Sequence, residues 1–240
     1  MLKVLYLQVY YKGVINKKLL LKVTSRGRVA ELKKAVQTYI DLADNPKELK
    51  FLFTFDVDDS AYNNKNFIDE LSELIPGCYI AFGHSENKIH AINRDIETYS
   101  KLYEWDIIAN LSDDQLAVKQ GWDTIIRETM PNHLDASLFF QDGRQDRLNT
   151  MEILGRKYYE RFNYIYYPEY KSFFCDNEAH EVAEKLGKLI KSKECLFSHF
   201  HISWAEKTHM THDETYKRAE KNWGHDEQLY KRRKQINFGL

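Results

Sequence analysis

The sequence predicts an α/β protein, in which helices flank a mainly parallel central sheet and the chain ends in a helical segment. Short continuous apolar runs such as "KFLFTFDV" (50–57) have the length and composition of strands buried on both faces. Between such runs lie segments with apolar side chains at helical spacing. The last thirty residues are charged and helix-prone, with few apolar anchors, which indicates a helix or ordered tail on the surface.

The first half of the chain alternates strands and helices regularly. A strand or hairpin in the first 25 residues ends in "LLLKVTS" (19–25), and residues 28–43 repeat apolar side chains at helical spacing. Further elements follow in the same alternation: strands in 50–57, 78–83 and 105–110, and helices in 66–75 and 87–102. Strands that alternate with helices in this way form a mainly parallel sheet.

The pattern is looser after Gly121. We predict helices in 122–130, 151–162 and 177–190, and strands in 136–141 and 195–203. The chain of 240 residues is expected to form a single domain over 1–240, with a first half at 19–118, a second half at 119–205 and a tail at 206–240.

Composition narrows the function classes. The formal net charge is −1, which argues against nucleic acid as the main partner, although local basic surface stays possible. The three cysteines are widely spaced, form no metal-type pair and indicate buried thiols in a reducing compartment. No apolar stretch approaches membrane-spanning length and the start of the chain lacks the apolar core of a signal peptide, so we expect a cytoplasmic protein.

Polar clusters follow the predicted strands. In open α/β sheets, ligands bind beyond the carboxyl ends of the strands, where these clusters are expected to meet. Two of the clusters are acidic and several contain Arg or Lys, which indicates a site for an anionic ligand, with or without a divalent cation. The clusters are "TSRGR", "DVDDS", "HSENK", "SDDQ" and "DGRQD".

The adjacent carboxylates Asp113 and Asp114 need a positive partner, because like charges at contact distance repel. Mg²⁺ or Mn²⁺ could bridge one of them to a diphosphate. Successive side chains on a strand alternate, so the other carboxylate would reach a ribose or a backbone amide. Helix capping is the alternative for this double acid.

Two further groups suit such a site. His199 and His201 are two residues apart on a predicted strand and share one face, and imidazole is a good Mn²⁺ ligand beside carboxylates. Asp176 and Glu178 lie at the start of a predicted helix, where either could act as a general base toward a hydroxyl. A surface His pair and helix capping are the corresponding structural alternatives.

The order of these motifs resembles nucleotide-sugar-dependent glycosyltransferases of the GT-A fold, particularly small family-2-like enzymes of bacteria and phages. The resemblance spans residues 19–240 and includes "TSRGR", "FTFDVDD", "SENKIHAIN", "NLSDDQ", "YPEYKSFFCDNE", "LFSHFH" and "YKRRKQINFG". It implies a nucleotide-binding half at 19–118 and an acceptor and catalytic half at 119–205. It also implies a UDP-sugar as the favoured donor, a glycan or other hydroxyl acceptor, and Mn²⁺ or Mg²⁺ as cofactor.

The resemblance also implies roles for individual residues. The Asp-x-Asp metal motif falls on "SDD", with Ser112 in place of an Asp, so Asp114 would bind the metal and Asp113 would assist. His201, or else His199, would be a further metal ligand. For the donor, the resemblance implies Ser25 and Arg26 at the nucleotide, Asp56 or Asp58 at the edge of the nucleobase, and Asn87 and Lys88 near the ribose and phosphates. It implies Asp176 or Glu178 as the catalytic base. Arg232 and Arg233 would close over the diphosphate as a lid.

The implied reaction is direct displacement at the anomeric carbon, and a single base would give inversion of configuration. A nucleotidyltransferase is one alternative, although only Gly27 stands where a Gly-rich phosphate loop would be expected. A non-catalytic carbohydrate- or nucleotide-binding module is another, with aromatic rings such as Trp204 as stacking surfaces. Sugar transfer to modified nucleic acid bases is a third, against which stands the lack of a strong basic patch.

Overall fold

The computed structural model of the chain describes residues 17–200 and 214–240, with side chains of the second range from residue 217 onward. The start of the predicted N-terminal hairpin therefore lies outside the described residues. A seven-stranded sheet with the order β3-β2-β1-β4-β7-β6-β8 forms the centre of this part, and β5 and β9 form a small second sheet. The strands are β1 (Leu19–Thr24), β2 (Leu49–Asp56), β3 (Tyr79–Gly83), β4 (Ile107–Ser112), β5 (Gln115–Ala117), β6 (Ser137–Gln141), β7 (Ile153–Gly155), β8 (Leu189–Cys195) and β9 (Phe197–His199).

Helices cover the large sheet. They are α1 (Val29–Asp41), α2 (Lys65–Leu74), α3 (Lys88–Asn93), α4 (Ile96–Leu102), α5 (Trp122–Thr129), α6 (Arg156–Tyr159), α7 (Cys175–Lys185), α8 (Glu214–Glu220) and α9 (Trp223–Gln235). Within the two described ranges, no helix is both long enough and apolar enough to cross a membrane.

Strands β1 to β4 form the parallel part of the sheet. β1 pairs with β2 on one side and with β4 on the other, so the order of the chain reverses at β1. In folds of this kind the reversal opens a crevice beyond the carboxyl ends of the two central strands. The mainly parallel sheet flanked by helices confirms the predicted fold class.

Two apolar cores lie on opposite faces of this sheet, which is why the central strands β1, β2 and β4 are largely apolar. On one face, the rings of Phe51, Phe53 and Phe55 stack in a row along β2, with centroids 5.6 and 5.9 Å apart. Burial of both faces fixes the ends of β1, β2 and β4 relative to the core.

Several predicted elements were wrong in their bounds. The helix predicted at 87–102 is two helices, because Asp95 adopts a left-handed conformation (φ 72°) between α3 and α4. The helix predicted at 151–162 begins as strand β7, since Ile153 and Leu154 are buried between β4 and β6. Pairing with neighbouring strands overrides the helical spacing there.

In residues 175–200 the observed elements also differ in their bounds from the predicted ones. The helix predicted at 177–190 starts earlier, at Cys175, and ends at Lys185, after which β8 pairs with β6. The strand predicted at 195–203 is described as far as residue 200, and its residues Phe197–His199 pair with β5. The strand β5 itself was not predicted.

Candidate functional site

The candidate site lies where the chain order reverses, at the carboxyl ends of β1 and β4. Thr24 is paired with Ser112 at the last position of both strands, so Ser25 and Asp113 are the next residues on neighbouring chains. The side chains confirm this proximity, because the Ser25 hydroxyl donates a hydrogen bond to Asp113. Two of the predicted polar clusters therefore meet as parallel pairing requires.

Asp113 is an internal carboxyl group. Its second oxygen accepts a hydrogen bond from Arg28 Nη1 at 3.1 Å, and both side chains are buried. Tyr62 Oη lies 2.6 Å from Ser25 Oγ and extends the network toward β2. Burial and the neighbouring charge of Asp114 raise the pKa of Asp113 to about 6. The arginine is thus the positive partner of this acid, and Asp113 joins the two strand ends.

Asp114 faces a different set of groups. Ser112 Oγ donates to one of its oxygens, and His199 Nε2 lies 3.5 Å from the other. Burial acts to raise the pKa of Asp114, but the charges of His199 and Lys88 outweigh it, so the pKa lies below its usual range. Asp114 is therefore held as a carboxylate.

The small sheet explains how an imidazole 85 positions later reaches this carboxylate. Gln115 pairs with His199 at the edge of β5 and β9, and the Phe200 amide donates to the Asp114 carbonyl at 2.7 Å. The His199 amide donates to the Asp142 carbonyl at 2.9 Å, which ties β9 to the end of β6. Backbone pairing fixes the imidazole beside the acid.

The pair formed by Asp114 and His199 fits a divalent cation in its chemistry, since carboxylate oxygen and imidazole nitrogen both suit Mn²⁺. In residues 17–200 and 217–240, no three His, Cys, Asp or Glu side chains form a ready metal cluster. The pair could provide two ligands to such a cation, and the remaining ligands would have to come from other groups. His201, the other predicted ligand, and Trp204 lie outside the described residues.

Asp176 also belongs to this region. It is the second residue of α7, and burial raises its pKa while the charges of Lys88 and His199 act to lower it. Lys88, at the start of α3, is exposed and also lowers the pKa of Asp114. Asn87 caps α3 by accepting from the His90 amide at 2.9 Å. The charges of His199 and Lys88 thus act on both Asp114 and Asp176, which places the four side chains in one region.

The structure does not bring Glu178 into this group. Its carboxylate accepts a hydrogen bond from Tyr170 Oη at 2.8 Å and pairs with Arg233, whose Nε lies 2.8 Å from both oxygens. Arg233 also donates to the Phe238 carbonyl at 2.7 Å and lies over the Tyr167 ring, 3.4 Å from its centroid. Sequence reasoning placed both residues at the ligand, whereas this ion pair joins α7 to α9. Arg232 is exposed on α9.

Arg26, which the sequence predicts at a nucleotide, binds acids of its own chain. Its Nη1 lies 2.7 Å from Asp56 Oδ2 and 2.8 Å from Asp58, whose other oxygen is 2.8 Å from Nη2. The predicted nucleotide residues Ser25 and Arg26 are therefore both engaged in protein contacts. Arg26 leaves one oxygen of Asp56 for other partners.

Sequence reasoning missed Arg94, which lies near Asp56, and Ser85, which follows β3. Within the described part of the chain, Asp56 Oδ1, Ser85 Oγ and Arg94 Nη1 are buried and have no hydrogen-bond partner. Asp56 is paired with Gly83, and a Cβ atom on Gly83 would lie 2.4 Å from Arg94 Nη1, so the guanidinium lies against this glycine. Arg94 Nη2 donates to the Phe55 carbonyl at 2.7 Å. A glycine at the end of a strand was the available signal for this close approach.

Buried polar groups without partners are uncommon in folded proteins, although, among the described residues, Arg127 and Asn149 also have such atoms. Those of Asp56 and Arg94, at the ends of β2 and β3, are candidates for contact with a ligand. An Asp95 carboxylate oxygen accepts from Arg94 Nε at 3.1 Å and from Thr54 Oγ1 at 2.8 Å, and Lys22 donates to Thr54. Burial lowers the pKa of Lys22 to about 7. The Arg94 guanidinium is thus held by a chain of buried polar contacts through Asp95, Thr54 and Lys22. Its Nη1 atom has no hydrogen-bond partner among the described residues.

No protein-family model matches the sequence, and no curated protein matches it significantly. Solved structures do share the fold. A mannosyltransferase from Pyrobaculum calidifontis, solved with GDP-Man and Mn²⁺, superposes with a TM-score of 0.59 at 11% identity, covering 76% of this chain and 56% of that one.

The S. aureus protein TarS shows a similar likeness. Its residues 1–349 in complex with UDP superpose with a TM-score of 0.56 at 12% identity, covering 75% of this chain and 60% of that one. The complex with UDP-GlcNAc has the same TM-score and identity, with 58% of that chain covered. This chain spans less than two thirds of the length of these structures, and it shares their fold over the superposed part.

Proposed function

We propose that the protein is a metal-dependent glycosyltransferase that moves a sugar from a nucleotide-diphosphate donor, with UDP favoured, to a hydroxyl acceptor. The observation that carries the proposal is the convergence of Asp114, His199, Asp176 and Lys88 at the carboxyl ends of β1 and β4. These groups come from four separate segments, and a packed core alone would not need them together. The fold shared with solved nucleotide-sugar complexes supports the same conclusion.

The base of the nucleotide would bind at the ends of β2 and β3. Asp56 Oδ1 is a buried acceptor and Arg94 Nη1 is a buried donor, each without a partner among the described residues. The edge of a uracil presents one N–H donor between carbonyl acceptors, which one acceptor and one donor can satisfy. Guanine presents two adjacent donors, which a carboxylate binds with both oxygens, but Asp56 Oδ2 is already bound to Arg26. This arrangement favours a pyrimidine.

The diphosphate would lie between Lys88 and the pair of Asp114 and His199. Lys88 is exposed at the start of α3 and acts as a point charge for phosphate oxygens. Asp114 and His199 would hold Mn²⁺ or Mg²⁺, which when bound neutralises charge on the departing diphosphate. Asp113 is bound to Arg28 and Ser25, so it would maintain the strand ends and not bind metal directly.

Asp176 would be the general base. The acceptor hydroxyl oxygen forms a bond to the anomeric carbon while the bond from that carbon to the diphosphate oxygen breaks, and the hydroxyl proton passes to Asp176. Burial raises the pKa of this acid, which makes its carboxylate a better proton acceptor. Glu178 is bound to Arg233 and offers no second nucleophile, so a single displacement with inversion is expected.

The test combines donor binding and turnover. Purified protein is screened by thermal shift with UDP, CDP and GDP, with and without Mn²⁺, and UDP release is measured with UDP-GlcNAc, UDP-glucose and UDP-galactose, and GDP release with GDP-mannose. We expect UDP with Mn²⁺ to raise the melting temperature, because a ligand that binds only the folded state stabilises it. We also expect at least one sugar donor to be turned over.

Asp114→Asn should abolish turnover and the Mn²⁺-dependent part of the thermal shift. Asp69→Asn is the matched control, because Asp69 pairs with Lys65 on the exposed face of α2 and should leave both readouts unchanged. No stabilisation by any nucleotide and no turnover would refute the proposal. Binding without turnover, unaffected by Asp114→Asn, would instead indicate a non-catalytic module, and pyrophosphate release from a nucleoside triphosphate would indicate a nucleotidyltransferase.

A further inference from the structure

The C-terminal helix α9 contacts the segment that leads into α7. The central residue of this contact is Asp226, whose side chain is fully buried. Asp226 Oδ1 accepts a hydrogen bond from the Lys171 amide at 3.1 Å, and Oδ2 accepts from the Ser172 and Phe173 amides at 2.8 Å each. Three consecutive backbone amides thus converge on one carboxylate more than fifty residues away in the chain.

Aromatic contacts and an ion pair hold the same junction. The ring of Trp223 lies 4.9 Å from the rings of Phe173 and Phe174, and the ring of Tyr230 stacks on Phe174 at 5.6 Å. Arg233 on α9 pairs with Glu178 on α7. Phe174, the residue before α7, has a positive φ of 60°, a conformation that non-glycine residues adopt only when their surroundings impose it.

The position of Asp176 follows from this junction, since it is the second residue after Phe174 and the second residue of α7. Apolar packing alone would hold α9 against α7 without the cost of burying a carboxylate. The carboxylate adds a geometric constraint on the backbone. Three amides that donate to one group fix the path of residues 171–173 and the conformation at which α7 begins. The partners of Asp226 are these amides and the His225 ring at 2.9 Å.

We propose that Asp226 is a positioning residue for the base: through the amides of residues 171–173 it sets where α7 begins and hence where the Asp176 carboxylate lies. The inference rests on the proposed function, because it needs Asp176 to act as the base. Its consequence is that the C-terminal helix belongs to the catalytic unit as a brace, whereas the sequence suggested a lid formed by Arg232 and Arg233.

The first measurement is hydrogen–deuterium exchange, which does not depend on any activity. In the wild type, the amides of Lys171, Ser172 and Phe173 should exchange slowly. In Asp226→Asn, whose side chain keeps one acceptor oxygen, they should exchange faster, and in Asp226→Ala faster still. Glu227→Gln is the matched control, one residue along the same helix, where Glu227 pairs only with Lys231 among the contacts shown. It should leave these amides protected.

The second measurement is steady-state turnover, well below the melting temperature, of whichever sugar nucleotide in the donor panel the wild type uses. We expect kcat to fall about tenfold to a hundredfold in Asp226→Asn and further in Asp226→Ala, since displacement of a reacting group by about 1 Å can cost about 100-fold. The KM for the donor should change less than twofold, because the nucleotide contacts lie in the other half of the chain. Trp223→Leu, which loosens the same junction without burying an unpaired charge, should lower kcat by a smaller factor.

The outcomes separate the two proposals. If Asp176→Asn abolishes turnover while both Asp226 variants and Trp223→Leu keep wild-type kcat, the positioning role is refuted and the proposed function stands. A parallel loss of kcat and donor binding in these variants would also refute it, because it would indicate general unfolding. If Asp176→Asn retains full turnover, the proposed base is wrong and the inference falls with it, whatever the exchange data show.

Discussion

The two halves of the molecule place their functional groups by different means. In residues 17–118, Ser25, Asp56 and Asp113 end a parallel strand or follow it directly, so their positions depend on the pairing of β1, β2 and β4. In the second half, Asp176 lies at the start of a helix whose path is set by the distant Asp226. Strand ends are aligned by backbone geometry, whereas this helix start needs side chains from another segment.

The adjacent acids show the same difference on a smaller scale. Asp113 is neutralised by Arg28 within the parallel half, from the loop after β1. Asp114 faces His199, which arrives from β9 in the second half. The first acid is therefore bound within the first half, and the second contacts a side chain from the second half. Variants in the two halves test the comparison between them, and the largest expected effect comes first.

Asp176→Asn should lower turnover by about 1,000-fold, because a positioned general base contributes about 100- to 10,000-fold. The free energy of unfolding and the affinity for UDP should stay close to wild type. Product release with the active sugar donor measures turnover. Chemical denaturation measures the free energy of unfolding, and calorimetry measures the affinity for UDP. A variant that keeps more than a tenth of wild-type turnover would argue that the base lies elsewhere.

Glu178→Gln should mainly cost stability. Its partner Arg233 would keep a buried charge without a counterion, which typically destabilises a protein by about 3 kcal/mol. Glu181→Gln is the matched control, because its ion pair with Lys234 joins the same two helices at a more exposed position and should contribute less than about 1 kcal/mol. Urea denaturation compares the two. Equal losses would contradict the distinction between the buried and the exposed pair.

Glu152→Gln should change how stability depends on pH. Burial raises the pKa of Glu152 to about 8, with Ser137 Oγ at 3.0 Å and Asn149 Nδ2 at 2.9 Å as its hydrogen-bond donors. Between the pKa of the unfolded chain, about 4.5, and about 8, the native state keeps a proton that the unfolded state releases, so stability falls as pH rises.

From pH 5.5 to 7.5 this single group should cost the wild type roughly 2 kcal/mol, and Gln should remove that contribution. Urea denaturation at both pH values, with wild type and variant side by side, provides the measurement. If the two proteins lose the same stability over this interval, Glu152 is not the protonated acid that its surroundings indicate.

Asp56→Asn should weaken UDP binding by about tenfold, or about 1.4 kcal/mol, because an amide placed toward the uracil N–H no longer provides a charged acceptor. Asp58→Asn is the comparison: Asp58 shares Arg26 with Asp56 but is exposed, and its loss should change affinity less than twofold. Calorimetry measures the affinity of the wild type and both variants for UDP and for GDP. A larger loss of affinity in Asp58→Asn than in Asp56→Asn would show that Asp56 does not contact the nucleobase.

Much of the first half was predictable from the sequence for one reason. A parallel strand buried on both faces is a continuous apolar run, and the polar residues that follow it must lie at one edge of the sheet. Asp114 was also predicted to meet an imidazole, His201 or else His199. His199 does lie beside Asp114, through the strand β5, which was not predicted. Arg94 and Ser85 were missed because Gly83 signals a close approach but not which side chain makes it, and no local pattern shows which buried atoms lack partners.

By itself, the sequence determined the α/β class, the strands of the parallel half and the acids at their ends, since these depend on local apolar runs and on the two-residue alternation of strands. Only the tertiary structure decided that Glu178 is bound to Arg233 while Asp176 faces Lys88 and His199. Both acids lie in the first turn of one helix, two positions apart, and point in different directions. Which direction faces a ligand depends on α9, whose hold on residues 171–174 arises from contacts between distant segments that no local pattern encodes.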